Sequence, residues 1–441
     1  MWTSRADPLC RSRRVSCGRL SRIFSTRTWI RSVAVSLALG VLTDPADAVE
    51  NLTVDQVIAI ALQENPDLLA ARQELEVARG RKVRADLFNR FNPSIMGRVW
   101  SRNNPGSGNT SDSQVQLSQE VEVAGQRGLR REEAARNIAR VEAQLKDRER
   151  VVTGHVTRAF FQALTLKERL TLRKQVEELN RRIRDASKAR FEAGVAPIME
   201  SNLAEIRYGE SRKKTYVAAA SFQNAVLGLR RLLGWESDRS VQLAGELRTS
   251  PEPILLSDLL QRGRTERPDL LAVKTEVSRV EADIDLTRRL IVPNPTIQGF
   301  YQTETEGSGR ASEMVGGGIS IPLALFDRKQ GELVTLGGEL NRSRHQTVAV
   351  TRNIEREIET AFQAYEAARK SVEVFEAEVL ERIEDNFRFV EISYREGKIG
   401  LLQLIVLQDG LIAAQLSYVD SLGQFRTAEA DLTQAVGGPI H

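Results

Sequence analysis

Pro66-Asp67-Leu68-Leu69-Ala70 recurs as Pro268-Asp269-Leu270-Leu271-Ala272, an offset of 202 residues. At the same offset Asn92-Pro93-Ser94-Ile95 meets Asn294-Pro295-Thr296-Ile297, and nine of the thirty positions from Pro66 to Ile95 are identical to their counterparts. The register continues through Leu117-Ser118 with Ile319-Ser320 and Ala159-Phe160 with Ala361-Phe362. It then slips by one residue, aligning Phe191-Glu192-Ala193-Gly194 with Tyr394-Arg395-Glu396-Gly397, Phe222 with Phe425, and Gly234 with Gly437. One short match is chance, but an ordered series at nearly constant spacing is a duplicated unit.

Within each copy the hydrophobic period changes in a fixed order. Thr53 and Gln56 form a capping box before a short helix that stops at Pro66, and a second helical run follows to about Arg90. The period then becomes two: Val115, Leu117 and Val121 alternate with Gln114, Gln116, Ser118 and Glu120. Ser94–Ser101 is the weaker partner strand, across a turn running from Asn103 to Asn109. Copy two gives Thr296–Thr303 and Met314–Ile321 around Glu306-Gly307-Ser308-Gly309. Each copy is therefore expected to hold one hairpin of roughly ten-residue strands. Proline-free helical patterns follow, with apolar steps of three and four. Ile358, Ala361, Tyr365, Ala368, Val372, Phe375 and Val379 make the outgoing seam of copy two. Leu404, Leu407, Leu411, Ala414, Tyr418, Ser421, Phe425, Ala428, Leu432 and Ala435 make the returning one. Such heptad seams are those of supercoiled antiparallel helices. Pro197 marks the tip of the first helical hairpin, and Gly397 with Gly400 the tip of the second.

Composition narrows the class. The 441 residues carry 63 Lys+Arg against 59 Asp+Glu, a formal charge of +4. That basic balance invites a nucleic-acid or anionic-membrane partner. The first 48 residues remove the invitation. Arg5, Arg11, Arg13, Arg14, Arg19, Arg22, Arg27 and Arg31 precede an apolar run from Val33 to Leu42 and then Ala46-Asp47-Ala48. These are the parts of a secretory signal peptide, with cleavage expected after Ala48. Eight arginines less Asp7, Asp44 and Asp47 is +5, so the remainder carries 4 − 5 = −1. Cys10 and Cys17 leave with the signal, which excludes disulfides and thiolate metal sites from the mature chain. No nucleic-acid partner is expected. At 41% apolar, 28% charged and a mean hydropathy of −0.32, the chain is also too polar for a helical membrane protein.

Four strands of this length have two open edges and one apolar face with nothing to cover it. Their length suits an outer-membrane barrel, in which about 9–11 tilted residues span the bilayer. Hydrocarbon tolerates no unpaired edge, so four strands close most simply by pooling chains, three giving twelve. The strand pattern alone also accommodates hairpins packed as a small soluble sheet.

Several short motifs lie in order along the duplicated frame. They are Asn65-Pro66-Asp67-Leu68, the run from Leu117 through Glu120 and Gly125 to Arg127, Pro293-Asn294-Pro295, Ile321-Pro322-Leu323, Phe326-Asp327-Arg328, and Gly194 with Gly397. In this arrangement the sequence resembles the outer-membrane factor (TolC-like) family over essentially all of its length from Leu52 to Gly438. The likeness is strongest to the CzcC-like subgroup associated with heavy-metal-type resistance–nodulation–division (RND) pumps. The resemblance implies a mixed, mainly α fold: a homotrimer whose twelve-stranded outer-membrane β-barrel continues into a periplasmic α-helical barrel. It divides the chain into a signal peptide (1–48) and two efflux repeats (49–250 and 251–441). The strand hairpins fall at about 93–123 and 294–323, and the coiled-coil hairpins at about 127–234 and 328–436. It further implies a passive exit duct for tripartite efflux of metal cations or drugs, with outer-membrane lipid, a periplasmic membrane-fusion adaptor and an inner-membrane RND pump as partners. Type I protein secretion is the alternative.

The resemblance also carries site residues. Adaptor contact is expected at Gly194, Val195, Ala196 and Pro197 and at Gly397, Lys398, Ile399 and Gly400. Some relatives carry acidic gate rings just after the second tip, but the matching positions here are Gln403 and Val406, which weakens any cation-selective gate. The corresponding step after Gly194 gives Glu200. Three copies of it could ring a pore; equally, it could be a solvated helix residue. No enzyme, cofactor or resident metal is expected: His155, His345 and His441 form no usual ligand spacing, and Gly397-Lys398 lacks the rest of a phosphate-binding loop. A periplasmic adaptor also has heptad hairpins, but it needs a lipoyl-like β module between the helical halves, for which the linker near Pro251 and Pro253 is too short; a secreted coiled-coil scaffold without a barrel does not account for the duplicated strand hairpins.

Overall fold

The computed structural model describes residues 50–105, 108–235, 241–248, 253–305 and 310–440. The expected signal peptide, the loop residues Gly106 and Gly307, Pro251 and His441 lie outside the described residues. Two elements escaped the sequence reading, β1 (Glu50–Leu52) and β4 (Val241–Leu243), which pair in parallel. Between them run α1 (Val54–Glu64), α2 (Pro66–Asp86), β2 (Ser94–Asn104), β3 (Gly108–Glu120), α3 (Gln126–Glu192) and α4 (Ile198–Leu233). Copy two repeats the order as α5 (Leu256–Glu266), α6 (Pro268–Arg289), β5 (Thr296–Thr305), β6 (Ala311–Ser320), α7 (Gln330–Val374), α8 (Leu380–Arg395) and α9 (Leu401–Val436).

Both repeat openings are built from the residue before proline. Asn65 is the N-cap of α2: its side-chain oxygen accepts from the backbone N–H groups of Asp67 (3.0 Å) and Leu68 (3.1 Å). Its amide donates to the Leu232 carbonyl at the end of α4 (2.7 Å). In copy two Arg267 does the second job, donating from Nη1 to the Ala435 carbonyl at the end of α9 (2.6 Å). In each copy one side chain thus ties the entry of a helix to the exit of the long hairpin and satisfies a carbonyl the helix end leaves without a partner. The expected capping box at Thr53 and Gln56 is present.

The slip in the repeat has a physical cause. Between α7 and α8 the helix makes one π turn, Phe375–Val379. A π turn takes in one extra residue without ending the helix, and it lies between Phe362, still at offset 202, and Tyr394, at 203. The outgoing seam of copy two is accordingly not continuous: Ile358, Tyr365, Ala368 and Val372 are buried, and no residue of the π turn is. The returning seam holds from Tyr418 through Ser421, Phe425, Ala428 and Leu432 to Ala435, but nearer the tip Leu401, Leu404, Ile405, Gln408, Ile412 and Leu416 are the buried residues. Leu407, expected inside, is exposed.

The main core forms where α1, α5 and the ends of α4 and α9 cover α3 and α7. Tyr365 and Phe425 meet there with ring centroids 5.3 Å apart, and Phe160, Leu164, Leu229 and Leu233 are fully enclosed. The copies lock together along α3, which packs against both α6 and α9. Gly423 leaves no room for a side chain: a Cβ there would lie 2.3 Å from Thr165 Oγ1. Arg158 Nε donates to Asp431 (2.6 Å) and Arg169 Nη1 to Asp420 (3.1 Å) along the same contact.

The four long strands form one antiparallel sheet in the order β2-β3-β5-β6. The strands run past the expected ends, with Asn103 and Asn104 paired to Asn109 and Gly108. At the helix side a polar network fixes the sheet to α3. Asn294 donates to Glu120 (2.9 Å), Gln126 donates to Asn294 (3.0 Å), and buried Arg130 pairs with Glu122.

Candidate functional site

Alternation along the paired strands sorts the sheet into two faces. Ile95, Gly97 and Val99 share one face with Val115 and Leu117, then Ile297, Gly299 and Tyr301, then Val315, Gly317 and Ile319. These side chains are bare within the chain: Ile95 is 77% exposed, Val99 78% and Val315 80%. The opposite face is mainly polar, with Arg98, Gln114, Gln116, Ser118, Gln298 and Gln302. It is cross-linked by hydrogen bonds such as Gln116 to Gln298 (2.8 Å) and Ser94 to Ser118 (2.7 Å). An apolar outside with a polar inside is the distribution of a membrane barrel wall, and the reverse of what a soluble sheet would bury. The sheet is open, because β2 and β6 have one neighbour each.

The far ends of the helical hairpins are the second part of the site. Gly194 and Gly397 both sit at φ +72°, which an L side chain adopts only at a cost. Around them the chain makes two copies of one Schellman turn. Val195 N–H donates to the Arg190 carbonyl and Gly194 N–H to Phe191; in copy two Lys398 N–H donates to Ser393 and Gly397 N–H to Tyr394. Pro197 and Gly400 are the N-caps of α4 and α9. All eight predicted tip residues thus fall in two equivalent turns. Their surfaces differ. Val195, with Ile198 and Met199, makes the first tip apolar and exposed, whereas the second presents Lys398, paired with Glu396 at 2.5 Å. Ala196 is buried, and Ile399 packs against a small cluster of Ala204, Leu401, Leu404 and Ile405.

Glu200 is neither free nor simply solvated. Its side chain is 16% exposed and accepts from Arg190 Nη1 (3.2 Å) and from the Tyr394 hydroxyl (3.1 Å). Arg190 also lies over the Tyr394 ring, 5.6 Å from its centroid. One carboxylate therefore joins α3 and α4 of copy one to α8 of copy two. Arg190 and Tyr394 were missed in the sequence reading. A signal existed, because the repeat aligns Tyr394 with Phe191 and only the tyrosine carries a hydroxyl. Gln403 lies on the exposed face of α9 with Leu402 (66% exposed) and Val406 (62%), so that face carries no acid next to the tip; its first carboxylate, exposed Asp409, pairs with Arg207 at 3.2 Å. Among the described residues no group of three His, Cys, Asp or Glu side chains is placed to hold a metal ion.

A membrane-facing sheet continuous with long helical hairpins defines a class, that of outer-membrane channels with a helical extension. Sequence comparison agrees. The profile of the outer membrane efflux protein family matches residues 57–235 and 259–438. The chain is 25% identical over 393 residues to the cobalt-zinc-cadmium resistance protein CzcC of Cupriavidus metallidurans, covering 89% of this chain and 92% of that one. Its fold is similar to the open-state MtrE outer membrane channel of Neisseria gonorrhoeae (TM-score 0.68, 18% identity, 88% of this chain and 89% of that one). It is also similar to the outer membrane protein VceC of Vibrio cholerae (TM-score 0.66, 16% identity, 88% and 97%). The chain belongs to the outer membrane efflux protein family, a family of transport ducts rather than enzymes, located in the outer membrane with a periplasmic portion.

Proposed function

We propose that this protein is the trimeric outer-membrane exit duct of an RND-type efflux assembly, receiving cargo from an inner-membrane pump through a periplasmic adaptor and releasing it outside. The sheet carries this reading. Its apolar face needs lipid and its bare edges need other copies, so the lumen left inside is lined by the polar face. A metal cation is the favoured cargo class because the cobalt-zinc-cadmium resistance protein matches nearly the whole chain. The duct has no catalytic work to do, and specificity is assigned to the pump.

The two Schellman turns supply the adaptor contact: Gly194–Pro197 offers an apolar tip, and Gly397–Gly400 a glycine-rich one bearing a single lysine. Glu200 acts as a tie within one chain, not as an open acidic ring, because Arg190 already neutralises it. Gln403 and Val406 line the narrow end as an uncharged constriction, compatible with passage of either sign of charge.

The decisive experiment is a deletion strain challenged with zinc, cobalt, cadmium, copper and common antibiotics, alongside fractionation with heated and unheated gel samples. Sensitivity to divalent metals and an outer-membrane band that runs as a trimer until heated are expected. Drug sensitivity alone would move the cargo to drugs. Unchanged resistance with loss of an exported protein would favour type I secretion, and a soluble periplasmic monomer would defeat the duct.

A further inference from the structure

The sheet of one chain ends at two bare edges, β2 and β6, and the duplication dictates how they meet. Resting on the trimeric reading above, we propose that β6 pairs antiparallel with β2 of the next copy in the register of the internal β3–β5 seam. Ile319 then lies opposite the partner's Gly97, Gly318 opposite the partner's Arg98, and Gly317 opposite the partner's Val99.

The β3–β5 pairing is the junction between the two repeats, and the numbers of its paired residues total 416: Leu117 with Gly299, Val115 with Tyr301. The repeat offset of 202 carries Leu117 onto Ile319 and Gly299 onto Gly97. Transposing the seam raises one number by 202 and lowers the other by as much, so the total is unchanged. This register pairs residues 312–320 of β6 with residues 96–104 of β2, a longer overlap than the eight pairs of the internal seam.

Three features support it. An even total keeps the apolar face continuous across the junction, because odd-numbered residues of both edge strands lie on that face. Side-chain sizes also interlock. Inside the chain Leu117 faces Gly299; across the junction Ile319 faces the partner's Gly97 and Gly317 faces the partner's Val99. On the polar face Gly316 and Gly318 lie opposite the partner's Trp100 and the partner's Arg98. Gly316 is already roofed by Phe300, whose ring would sit 2.4 Å from any Cβ there.

The third feature is closure. Crossing the sheet at right angles to the strands leads from Gly97 to Val115, Tyr301 and Val315, and then to the partner's Ser101. Each copy therefore advances the path by four residues, and three copies by twelve. For twelve strands with a rise of about 3.3 Å and a spacing of about 4.8 Å, that stagger tilts the strands by about 35°, within the range of closed barrels. A total of 414 gives a tilt of about 19° and sets two glycines, Gly317 and the partner's Gly97, against each other. A total of 418 gives about 46° and crowds Ile319 against the partner's Val99.

The test uses cysteine pairs in a chain whose Cys10 and Cys17 are replaced by serine. The pairs Gly97→Cys with Ile319→Cys and Arg98→Cys with Gly318→Cys lie on opposite faces. One of them is therefore a closely spaced, non-hydrogen-bonded pair within disulfide reach. On oxidation, at least one should link copies covalently, about ten-fold more than Val99→Cys with Ile319→Cys or Ile95→Cys with Ile319→Cys, whose side chains would be diagonal neighbours. A stable trimer that cross-links best through either of those latter pairs overturns the register and leaves the trimer standing. Absence of a trimer in the unsubstituted chain defeats the assembly and the register together. Strand tilt by polarised infrared spectroscopy on the unsubstituted protein in oriented membranes decides the same question if the variants fold poorly: about 35° supports the register, and about 19° or 46° refutes it.

Discussion

Replacing Arg267 with methionine should destabilise the helical part more than replacing Asn65 with alanine, although the two residues hold the same place in the duplicated frame. The Arg267 side chain is 2% exposed. It donates to the Ala435 carbonyl at 2.6 Å, to Asp269 from Nε at 2.9 Å and Nη2 at 2.6 Å, and to Glu357 at 3.0 Å. Removing one partner of a buried pair costs about 3–5 kcal/mol, because the other charge stays desolvated. Glu357 is half-exposed and adds no more than a surface pair, so about 3–4 kcal/mol is expected for Arg267→Met. Asn65→Ala loses an N-cap, about 1 kcal/mol, and orphans the Leu232 carbonyl, about another 1 kcal/mol.

Acidity separates the two cases further. Burial opposes the charge on Asp269, but the hydrogen bond and positive charge of Arg267 outweigh it and hold the carboxyl below its ordinary value. A carboxyl whose folded pKa is depressed stabilises above its unfolded value, and that stability is lost as pH falls through the folded one. The gap between the parent and Arg267→Met should therefore narrow below about pH 4, while the gap for Asn65→Ala stays level. Urea midpoints by circular dichroism of the detergent-solubilised protein, at neutral pH and at stepwise lower pH, give both comparisons. An Arg267→Met cost no larger than that of Asn65→Ala, or a gap indifferent to acid, would refute the reasoning.

Three further outcomes follow from the geometry. Gly423→Ala drives a Cβ into the stiff Thr165 side chain and should cost about 1–3 kcal/mol. Gly154→Ala meets the Gln434 side chain from Cγ outward, which a change of rotamer can move aside, and should cost less than Gly423→Ala, a ranking that urea midpoints can reverse. Deleting Ala377 from the π turn should leave a continuous α-helix in its original phase and preserve the trimer. Deleting Ala364 from α7 should abolish it, and equal trimer yields on gels would show that the π turn does not absorb the slip. Tyr394→Phe removes one hydrogen bond to the Glu200 carboxylate, about 1.5–3 kcal/mol of tip cohesion. Its resting conductance in planar bilayers should rise, and an unchanged current would mean that Glu200 and Arg190 hold the tip without the tyrosine.

Much of this fold could be read along the chain because its rules are local and written twice. Capping at Thr53, proline at the first position of α2 and α6, alternation in the strands and glycines at the two tips each depend on a few neighbouring residues. The repeat also exposed the one-residue slip, though not its form, since a π turn and a loop insertion leave the same trace in an alignment. The tip glycines were legible for the same reason: positive φ favours glycine wherever it occurs. Glu200 was singled out, but its state was not, because Arg190 and Tyr394 reach it from ten residues upstream and 194 downstream.

By itself, then, the sequence determined the duplication, the order of the four long strands and the helices around them, and the two turns. Those follow from spacing and composition, which need no knowledge of what lies across the fold. The tertiary structure decided the rest. It set the sheet order and register that sort the strands into an apolar and a polar face, turned the interior of α9 near the tip so that Leu407 faces outward, and gave Asn65 and Arg267 one task with different chemistry. It also converted Glu200 from a candidate open charge into a tied one. Each of these depends on contacts between elements, several of them across more than a hundred residues of chain, and period and propensity carry no information about such meetings.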